Sequence, residues 1–507
     1  MNNVVIKKEI KTVAIANRGE VAVRIIKACE ELGLTTVLLH SEADINSRAY
    51  RMADRTVCIG KSPTAESYLN IQSNIQGAIA MGADAIHPGF GFLSENADFA
   101  QACFDAGLIF IGPSAESIRL LGDKISCKAL ALKAGLPLVP GYQGADQTVE
   151  RLLIEVEKIG LPVIVKAAAG GGGRGMKLIT DLSSARDLIE SAQRESLSAF
   201  GSDKIFLEKY LNKAKHIEFQ IFGDCTGQVQ HLFDRECSVQ RRHQKIIEEA
   251  TSPSLTDDLR RQMGAAAVAI GQIANYKSAG TVEFLLQDGQ FYLLEVNTRL
   301  QVEHPVTEEV IGVDLVKMQL LTAMNKFIFT NQDIRIPRGH SIECRVYAEN
   351  SYQGGVPSMG ILGRVEWPEG PRRRFEFGFE SGDTITSFYD PMIAKVIVWD
   401  ETRPRAIEKM IHVLNQSVVF GVHTNIPYLI EILSHPEFIS GVMTTQFIET
   451  YFPEALKSKH NEALRLENSK KIYKEFIQKK SNSSKSNFDQ SNAAVPLSPW
   501  QSYWRNV

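Results

Sequence analysis

A single stretch near the middle of the chain, residues 283–303, most constrains the fold, because it reads as a β-hairpin with charge inside its strands. Two apolar runs, Thr281–Leu286 and Phe291–Val296, flank an Asp-Gly turn. Each strand carries one carboxylate, Glu283 or Glu295, where a core strand would carry a hydrophobe. A buried carboxylate is costly unless it has a partner, and a divalent cation is a common one. The hairpin therefore predicts a metal site.

The register of this hairpin decides whether the two carboxylates meet. A three-residue loop, Gln287–Gly289, would place Glu283 and Glu295 on one face as diagonal neighbours. A two-residue loop would place them on opposite faces, so the prediction requires the longer loop or a bulge. Leu, Phe and Val at the other positions favour covered faces over an exposed hairpin whose polar residues meet water. Beyond it, polar residues continue to alternate: Asn297, Arg299, Gln301 and Glu303.

Composition is that of an ordinary globular chain and argues against several functions. The 507 residues suffice for several domains, with 44% hydrophobic and 23% charged residues. A net charge of −3 gives no attraction to nucleic acid or membrane. No apolar run approaches a membrane span, and residues 1–11 show no signal peptide. Seven scattered cysteines without a Cys-x-x-Cys pair predict reduced thiols, no zinc site and a cytoplasmic location.

Residues 12–112 alternate short apolar strands with amphipathic helices, an order that predicts a doubly wound parallel sheet. Asn17-Arg18-Gly19-Glu20 falls at the first strand-to-helix turn, where such sheets often bind ligands. It does not match the dinucleotide-binding glycine pattern, so we assign no dinucleotide site. His87-Pro88-Gly89-Phe90-Gly91-Phe92 follows the strand at 84–87 and is either a ligand loop or a tight turn.

A run of glycines follows a further predicted strand. Residues 113–135 read as helical, and the strand Leu161–Lys166 leads directly into Gly170–Gly173. Consecutive glycines let backbone amides approach phosphate oxygens and let a loop move. The loop is not a Walker A loop, because no Gly-Lys-Ser/Thr follows it. A lid over a nucleotide fits better than a plain linker, since Lys166 precedes the glycines and Arg174 follows them.

A short basic cluster comprises Arg241, Arg242, His243 and Lys245. It lacks interleaved aromatic residues and is followed by two glutamates, which favours a small anionic substrate over a solvated or RNA-binding face. From about residue 337 the pattern is rich in strands, with α+β character. After residue 453 it changes to a basic helical pattern and a Ser/Asn-rich linker, before an end that contains two tryptophans.

Taken together, these motifs resemble the biotin carboxylase component of biotin-dependent carboxylases, in the ATP-grasp superfamily. The resemblance runs in order from about Lys11 to Pro453. The matching segments are IANRGEVAVRII, HPGFGFLSEN, GDK, KAAAGGGGRGM, EKYL, CSVQRRHQKIIEEATSP, GTVEF, EVNTRLQVEHPVTE and YDPMIAK.

The resemblance implies three domains and a tail. Residues 1–121 would form the doubly wound α/β domain, and residues 122–335 an ATP-grasp domain with a mobile lid at about 140–212. Residues 336–455 would form the C-terminal α+β biotin carboxylase domain. The tail, 456–507, ends in a segment similar to one in acyl-CoA carboxylase α chains; it is either a subunit-docking segment or a disordered end.

The implied activity is ATP-dependent carboxylation of biotin. ATP and bicarbonate would give carboxyphosphate, from which carbon dioxide moves to N1 of biotin. The implied cofactors are ATP, Mg²⁺ or Mn²⁺, and biotin, with Glu283, Glu295 and Asn297 as the metal ligands.

The resemblance also implies the nucleotide site. Its lysines would bind phosphates, Glu208 and the backbone near Leu211 would face adenine, and the glycine lid would exclude water from a labile mixed anhydride. The residues assigned to ATP are Lys124, Lys166, Gly171, Gly172, Gly173, Glu208, Lys209, Leu211, His216, Gln240 and His243.

For catalysis the resemblance implies four residues. Lys245 and Arg299 would hold bicarbonate, and Glu303 would be the general base, with its pKa lowered by those two cations. Arg374, located by counting back from Tyr389, matches the arginine that stabilises the biotin enolate, although Arg372 and Arg373 are adjacent. The implied biotin-binding residues are Phe90, Gly91, Gln301, Val302 and Arg374. The family usually has Tyr where this chain has Phe90.

The expected partners follow from a missing motif. The sequence contains no Ala-Met-Lys-Met, so biotin is expected on a separate biotin carboxyl carrier protein. The resemblance also implies a carboxyltransferase subunit and a homodimer of this chain. Acetyl-CoA, propionyl-CoA, methylcrotonyl-CoA and pyruvate all stay open as acceptors of the complete complex.

Two other functions share part of this pattern. Another ATP-grasp ligase, such as a carbamoyl-phosphate-forming or purine-pathway enzyme, would share the carboxylate pair and the lid. It would not be expected to share RRHQK, RLQVEHP and YDPMIAK. A catalytically silent nucleotide-binding scaffold would be expected to have lost the chemical residues, which are all present.

Overall fold

The structure, a computed structural model, describes residues 9–167, 176–242, 244–329 and 336–453, with the backbone alone at 124, 125, 199 and 200. The predictions for the glycine loop, His243 and the tail 456–507 lie outside the described residues.

A five-stranded parallel sheet forms the N-terminal region, as predicted. Its strands run in the order β3-β2-β1-β4-β5. Strands β1–β5 are Thr12–Ile15, Thr35–Ser41, Arg55–Gly60, Ala85–His87 and Ile109–Phe110. Helices α1–α4 are Gly19–Glu31, Arg48–Met52, Ile71–Ala80 and Ala97–Asp105. Helix α1 packs on the sheet through Val21, Ile25 and Cys29, the face that its apolar spacing predicts.

The strand order reverses between β1 and β4, so the loops after these strands meet at one edge of the sheet. Asn17, after β1, donates from Nδ2 to the carbonyls of Pro88 and Phe90, at 2.7 Å each. The two loops singled out in the sequence are therefore joined by hydrogen bonds.

Residues 113–135 form two helices where the sequence predicted one helical stretch. Helix α5, Ala115–Gly122, ends at Asp123, whose backbone is extended. The Asp123 carboxylate accepts a hydrogen bond from the Ser126 amide at 2.8 Å and so caps helix α6, Lys124–Lys133.

The predicted lid contains a small antiparallel sheet with its own apolar core. Its order is β6-β9-β7-β8, covered by two helices. Strands β6–β9 are Gly141–Tyr142, Val163–Ala167, Lys177–Ile179 and Ile205–Lys209; helices α7 and α8 are Val149–Ile159 and Ala185–Phe200.

An eight-stranded antiparallel sheet is the centre of the molecule. Its order is β14-β13-β10-β11-β12-β15-β22-β20. Strands β10–β14 are Lys215–Gly223, Val229–Arg241, Gln244–Ala250, Ser278–Gln287 and Gln290–Asn297. Strands β15–β23 are His340–Tyr347, Glu349–Asn350, Val356–Pro357, Gly360–Ile361, Arg364–Glu366, Arg373–Phe377, Thr384–Ile385, Met392–Asp400 and Val418–Phe420. The domain boundary predicted near residue 335 does not interrupt the sheet, because β12 pairs with β15.

Seven more helices cover this sheet. Helices α9–α15 are Asp257–Ile273, His304–Ile311, Leu315–Ala323, Arg403–Gln416, Ile426–Leu433, Pro436–Ile439 and Phe447–Tyr451. Helix α10 lies across β11, β12, β15 and β22, which places its N-cap residue, Glu303, over the middle of the sheet. Among the described residues, no helix is both long and apolar enough to cross a bilayer.

The hairpin β13–β14 corrects the predicted register. Gln287 pairs with Gln290, so the loop has two residues, with Asp288 and Gly289 both at positive φ. The three-residue loop is therefore wrong, whereas the other condition that the prediction allowed, a bulge, is confirmed: it lies between Glu283 and Phe284 and brings the two carboxylates to one face. Glu283 lies directly opposite Glu295 rather than on a diagonal.

The expectation that both carboxylates are buried is also wrong. Glu283 is buried in a strand that is paired on both sides, whereas Glu295 is exposed. The cause is the strand order, which makes β14 the edge of the sheet.

Candidate active site

A row of ionisable side chains crosses the eight-stranded sheet at the level of this hairpin pair. Glu295, Glu283, Glu218 and Arg235 lie opposite one another on β14, β13, β10 and β11. On the far side of β12, Arg345 of β15 lies opposite Lys395 of β22, which in turn faces Glu376 of β20. Such groups persist inside a sheet only when they are paired, so the row predicts dense ion pairing.

Glu303 lies where helix α10 meets this row and is fully buried. Lys245 Nζ is 2.7 Å from its Oε1, and an Arg345 terminal nitrogen is 3.0 Å from its Oε2. Arg345 has a second partner, Glu248, whose Oε1 accepts a hydrogen bond from Arg345 Nε at 2.6 Å. Both oxygens of Glu303 are therefore held by cations.

Lys245 is the hub of the site, because three carboxylates share its ammonium group. Its Nζ lies 2.5 Å from Glu218, 2.8 Å from Glu283 and 2.7 Å from Glu303. Burial alone would lower the pKa of Lys245, but these three carboxylates outweigh it and raise the pKa well above 10.5. We call Lys245, Arg345, Glu218, Glu283 and Glu303 the Glu303 cluster.

Within this cluster the carboxyl groups differ in pKa. Burial opposes ionisation of Glu303, but Lys245, Arg345 and Arg235 outweigh it and hold its pKa well below 4.5. Burial also opposes ionisation of Glu283, but Lys245 and His216 outweigh it and lower the pKa of Glu283. For Glu218 burial dominates and the pKa is raised. Glu303 is therefore ionised at neutral pH, as a general base must be.

The expected depression of the Glu303 pKa is confirmed in direction, with one correction to its cause. Lys245 contributes as expected, and the second cation in contact is Arg345, whereas Arg299 acts on Glu303 through its charge without a contact. Arg299 instead donates from Nε to Glu95 at 2.8 Å, and from its terminal nitrogens to Gln301 and Asn297 at 2.8 and 2.9 Å. It joins the loop after β4 to the end of the hairpin.

Of the predicted metal ligands, Glu283 contacts Lys245, Asn297 contacts Glu283, and Glu295 lies opposite Glu283 in the hairpin. Glu283 Oε1 accepts from Asn297 at 2.9 Å and from Gln301 at 3.0 Å, and its Oε2 lies 2.9 Å from His216 Nε2. Mg²⁺ prefers oxygen ligands and takes few of them from protein. Two carboxylates in register, with an amide oxygen two residues along the strand from Glu295, fit that preference.

Two lysines and a glutamate connect the lid sheet to helix α6. Glu208 of β9 accepts from Lys166 of β7 at 2.5 Å and from Lys128 of α6. Burial opposes its ionisation, but these lysines lower the pKa of Glu208 to about 2. The predicted residues Lys166 and Glu208 thus form one pair, to which Lys128 adds a second cation.

Four further predicted nucleotide residues are described. His216 Nδ1 lies 2.7 Å from Gln240 Nε2 and so links β10 to β11. Lys209 donates to the carbonyls of Gly160 and Leu161, at 2.9 and 2.7 Å, and Leu211 is half-buried next to it. The remaining predicted nucleotide residues lie outside the described part of the chain: the side chain of Lys124, and Gly171, Gly172, Gly173 and His243.

Four of the five residues predicted to bind biotin fall into two groups, and the fifth, Arg374, lies apart from both. Gln301 and Val302 precede Glu303 directly, and the Val302 carbonyl accepts from Lys395 at 2.7 Å. Phe90 is half-buried and Gly91 exposed in the loop that Asn17 holds. The Phe90 ring centre lies 6.0 Å from Lys395 Nζ, so the two groups border the same region.

Arg374 is not brought to the Glu303 cluster. Among the described residues its guanidinium reaches Glu308, Glu309 and Glu376, at 2.8, 3.4 and 2.8 Å. Its strand, β20, is the edge strand beyond β22, and these carboxylates engage its Nε and one of its terminal nitrogens. The arginine in contact with Glu303 is Arg345, which corrects the sequence-based placement.

Sequence reasoning missed several members of the site, and one signal could have found Arg345. All eight residues of β15 are buried, and two of them, Glu343 and Arg345, are charged. That is the same pattern of charge in a core strand that singled out Glu283. Lys395 shows the same pattern, as a charge within the apolar strand β22. Lys128 and Glu95 carry no comparable local signal, and their partners are distant in sequence.

Comparison with known proteins identifies the family. Three family models match almost the whole described chain: "Biotin carboxylase, N-terminal domain" over 9–118, "Carbamoyl-phosphate synthase L chain, ATP binding domain" over 123–328, and "Biotin carboxylase C-terminal domain" over 343–450. The chain belongs to the biotin carboxylase family. Its three-domain architecture and its identification from motifs are thereby confirmed.

The relatives of this chain include proteins named biotin carboxylase and alpha subunits of methylcrotonoyl-CoA carboxylase. Biotin carboxylase from Nostoc sp. is 46% identical over 438 residues, covering 86% of this chain and 98% of the relative. The mitochondrial methylcrotonoyl-CoA carboxylase subunit alpha of Glycine max is 46% identical over 447 residues, 88% of this chain. The match covers 61% of that relative, so this chain spans about three fifths of its length.

The biotin carboxylase fold is equally clear from solved structures. The biotin carboxylase domain dimer of Hydrogenobacter thermophilus 2-oxoglutarate carboxylase, solved with MgADP, ADP and bicarbonate, superposes with a TM-score of 0.83. It is 43% identical, and the match covers 87% of this chain and 98% of that one.

Proposed function

We propose that this chain carboxylates biotin, with ATP and bicarbonate as co-substrates. The observation that carries the proposal is the ionised, fully buried Glu303 held between Lys245 and Arg345. A carboxylate so placed can take a proton from a small anionic acid while the neighbouring cations hold its conjugate base. Bicarbonate is such an acid.

In the proposed mechanism Glu303 accepts the bicarbonate proton. The freed oxygen attacks the terminal phosphorus of ATP, ADP leaves, and the product is carboxyphosphate. Carboxyphosphate then splits into carbon dioxide and phosphate, the phosphate takes the N1 proton of biotin, and N1 of the resulting enolate bonds to the carbon dioxide. Lys245 and Arg299 orient bicarbonate by charge-assisted hydrogen bonds. Their separate anchors, the cluster carboxylates for Lys245 and Glu95 for Arg299, fix both groups before substrate arrives.

We assign stabilisation of the biotin enolate to Arg345 in place of Arg374. The assignment is supported by the 3.0 Å contact of Arg345 with Glu303 and by its burial, which strengthens its attraction for a developing oxyanion. Gln301, Val302, Phe90 and Gly91 remain the proposed biotin-binding residues.

For the metal and the nucleotide we retain the sequence-based ligands. Mg²⁺, held by Glu283, Glu295 and Asn297, would supply charge neutralisation for the phosphate groups. Lys166 is oriented by Glu208 toward the proposed nucleotide site, and Lys128 joins it. The further proposed ATP residues are Lys124, Gly171, Gly172, Gly173, Lys209, Leu211, His216, Gln240 and His243.

The substrate dependence of ATP turnover tests this function. With Mg²⁺, the purified chain should hydrolyse ATP only with bicarbonate, and free biotin should accelerate the reaction. Stimulation by ammonia or an amine, with indifference to biotin, would instead identify another ATP-grasp ligase, the function suggested by the carbamoyl-phosphate synthase model that matches residues 123–328. No turnover, even with a biotinylated carrier domain, would support a silent scaffold.

We also propose the partners and the location. A biotin carboxyl carrier, a carboxyltransferase and a second copy of this chain would complete the system, in the cytoplasm. The seven unpaired cysteines fit a reducing compartment. Domain limits of 1–121, 122–335 and 336–455, with the tail 456–507 as a docking segment, complete the proposal. Deletion of 457–507 should abolish coupled carboxylation with partner subunits and leave free-biotin turnover intact.

A further inference from the structure

Lys395, in β22, is a fully buried lysine with an unusual pair of contacts. Its Nζ donates to the carbonyl oxygen of Val302 at 2.7 Å and forms an ion pair with Glu20 at 3.2 Å. Val302 directly precedes Glu303. The lysine therefore reaches the residue next to the base through the backbone, without touching the base itself.

The partner of this lysine is poorly satisfied. Glu20 lies in the first turn of α1, is buried, and among the described residues meets no donor except Lys395. Burial raises its pKa in spite of Lys395. A buried ion pair of this kind contributes little to stability compared with apolar residues of similar volume. Its presence calls for another explanation than folding.

The position of the pair supplies that explanation. Glu20, Val302 and Lys395 belong to the segments that match the N-terminal, ATP-binding and C-terminal family models, respectively. Lys395 also lies directly opposite Arg345, which contacts Glu303 at 3.0 Å. Lys395 and Arg345 are thus neighbours on adjacent strands. Lys395 holds the backbone carbonyl of Val302, and Arg345 holds the carboxylate of Glu303.

We propose that Lys395 is a positioning residue for Glu303, anchored by Glu20, and that it couples the N-terminal domain to the general base. This inference rests on the proposed function for its catalytic meaning. A base must lie within about 0.5 Å of its productive position, and a displacement of about 1 Å can cost about a hundredfold in rate. Fixing the carbonyl before Glu303 limits such displacement.

The first test compares two lysine-to-methionine variants. Lys395→Met keeps the length of the side chain and removes its donor. The matched control is Lys409→Met, because Lys409 also bonds a backbone carbonyl and a carboxylate, Trp399 at 2.9 Å and Asp400 at 2.7 Å. We expect Lys395→Met to lower kcat for biotin carboxylation by between about tenfold and a hundredfold, with the Kd for ATP unchanged. In Lys409→Met, both kcat and the Kd for ATP should stay at their wild-type values.

A second pair of variants separates positioning from folding. Lys395→Met leaves Glu20 as a buried carboxylate without its cation, which lowers the melting temperature. Adding Glu20→Gln removes that charge, so the double variant should recover stability but not kcat, because the Val302 carbonyl still lacks its donor. Recovery of both would show that the lysine serves folding alone and would overturn the proposal.

Hydrogen–deuterium exchange of peptides spanning 298–306 gives a readout that does not depend on turnover. Amide exchange there should be faster in the double variant than in wild type, and unchanged in Lys409→Met. Equal exchange in the double variant and wild type would contradict the proposal. Failure of wild type to carboxylate biotin would overturn the proposed function, while the exchange comparison would still decide whether Lys395 positions the segment.

Discussion

Helix α10 has a buried glutamate at each end, and the two differ in what their arginines connect. At the N-cap, Glu303 contacts Lys245 and Arg345. In the last turn, Glu308 contacts Arg24 at 3.1 Å and Arg374 at 2.8 Å. Both carboxyls are buried, and for both the surrounding cations outweigh burial and lower the pKa. Charge and burial alone therefore do not tell a catalytic carboxylate from a structural one.

Connectivity separates the two ends. The Glu303 cluster continues through Glu283 to Asn297 and Gln301, the residues that carry the proposed metal and substrate chemistry. The other group, which we call the Glu308 cluster, comprises Glu308, Arg24, Arg374, Asp314 and Glu376, and it joins α1 to α10, the N-cap of α11 and β20. It links packed elements to one another, as an interdomain clamp does.

Removing one arginine from each end of helix α10 tests this comparison most strongly. Arg345→Met leaves the buried Glu248 without its cation, which costs about 3–5 kcal/mol of unfolding free energy. Arg374→Met should cost less, because Glu308 keeps its contact with Arg24. We expect turnover per folded molecule to fall by about 10²–10³ in Arg345→Met, the range for loss of an oxyanion donor. Arg374→Met should keep turnover near wild type. Steady-state kinetics beside urea unfolding would measure both.

The opposite ranking of the two variants would reverse the assignment. If Arg374→Met lost turnover while Arg345→Met retained it, the sequence-based choice of Arg374 would be restored and the contact of Arg345 with Glu303 would be structural.

A third carboxylate sharpens the comparison, because Glu208 is paired with two lysines outside both clusters. Its pKa falls from 4.5 to about 2 in the folded chain, so its stabilising effect is complete above pH 4.5 and is lost as pH falls toward 2. Glu208→Gln should therefore lower the unfolding free energy by about 3 kcal/mol at pH 7, with the difference shrinking below pH 4.5. Urea unfolding across pH measures this.

The control lies in the same lid. Glu195→Gln removes an exposed partner of Lys177 and should change stability little at any pH, because solvent screens such pairs. Equal pH dependence of the two variants would contradict the stabilising role of the Glu208 pair.

The smallest expected effect concerns the edge of the Glu303 cluster. Glu295 lies opposite Glu283 but is exposed, so Glu295→Gln should leave folding intact and raise the Mg²⁺ concentration for half-maximal turnover by about tenfold. Asp288→Asn, in the turn of the same hairpin, is the control and should leave the Mg²⁺ dependence unchanged. An unchanged dependence in Glu295→Gln would remove this residue from the metal site.

Much of the architecture could be predicted from the sequence because its signals are local. The βαβα alternation of residues 12–112 predicts the parallel sheet, and charge inside the strand that holds Glu283 predicts a site there. The two-residue turn at Asp288 was equally readable, since Asp-Gly favours that turn type. The bulge that brings Glu283 opposite Glu295 has no such local signal.

The sequence-based predictions that proved wrong concern features set by contacts between residues distant in sequence. Glu295 is exposed because β14 is an edge strand, a property of the strand order rather than of the hairpin. Arg374 was chosen by spacing from Tyr389, whereas Arg345 reaches Glu303 only because β15 lies beneath α10. Lys128 and Lys395 contact partners 80 and 93 residues away, so no local pattern could assign those partners.

The most direct test of the central claim is transfer of labelled bicarbonate carbon to biotin in Glu303→Gln, beside Glu309→Gln as control. Glu309 lies on the same helix and contacts Arg374. We predict that Glu303→Gln binds ATP normally and loses transfer by at least about a hundredfold, the usual contribution of a general base, while Glu309→Gln retains it. Transfer by Glu303→Gln at a rate close to wild type would contradict the account.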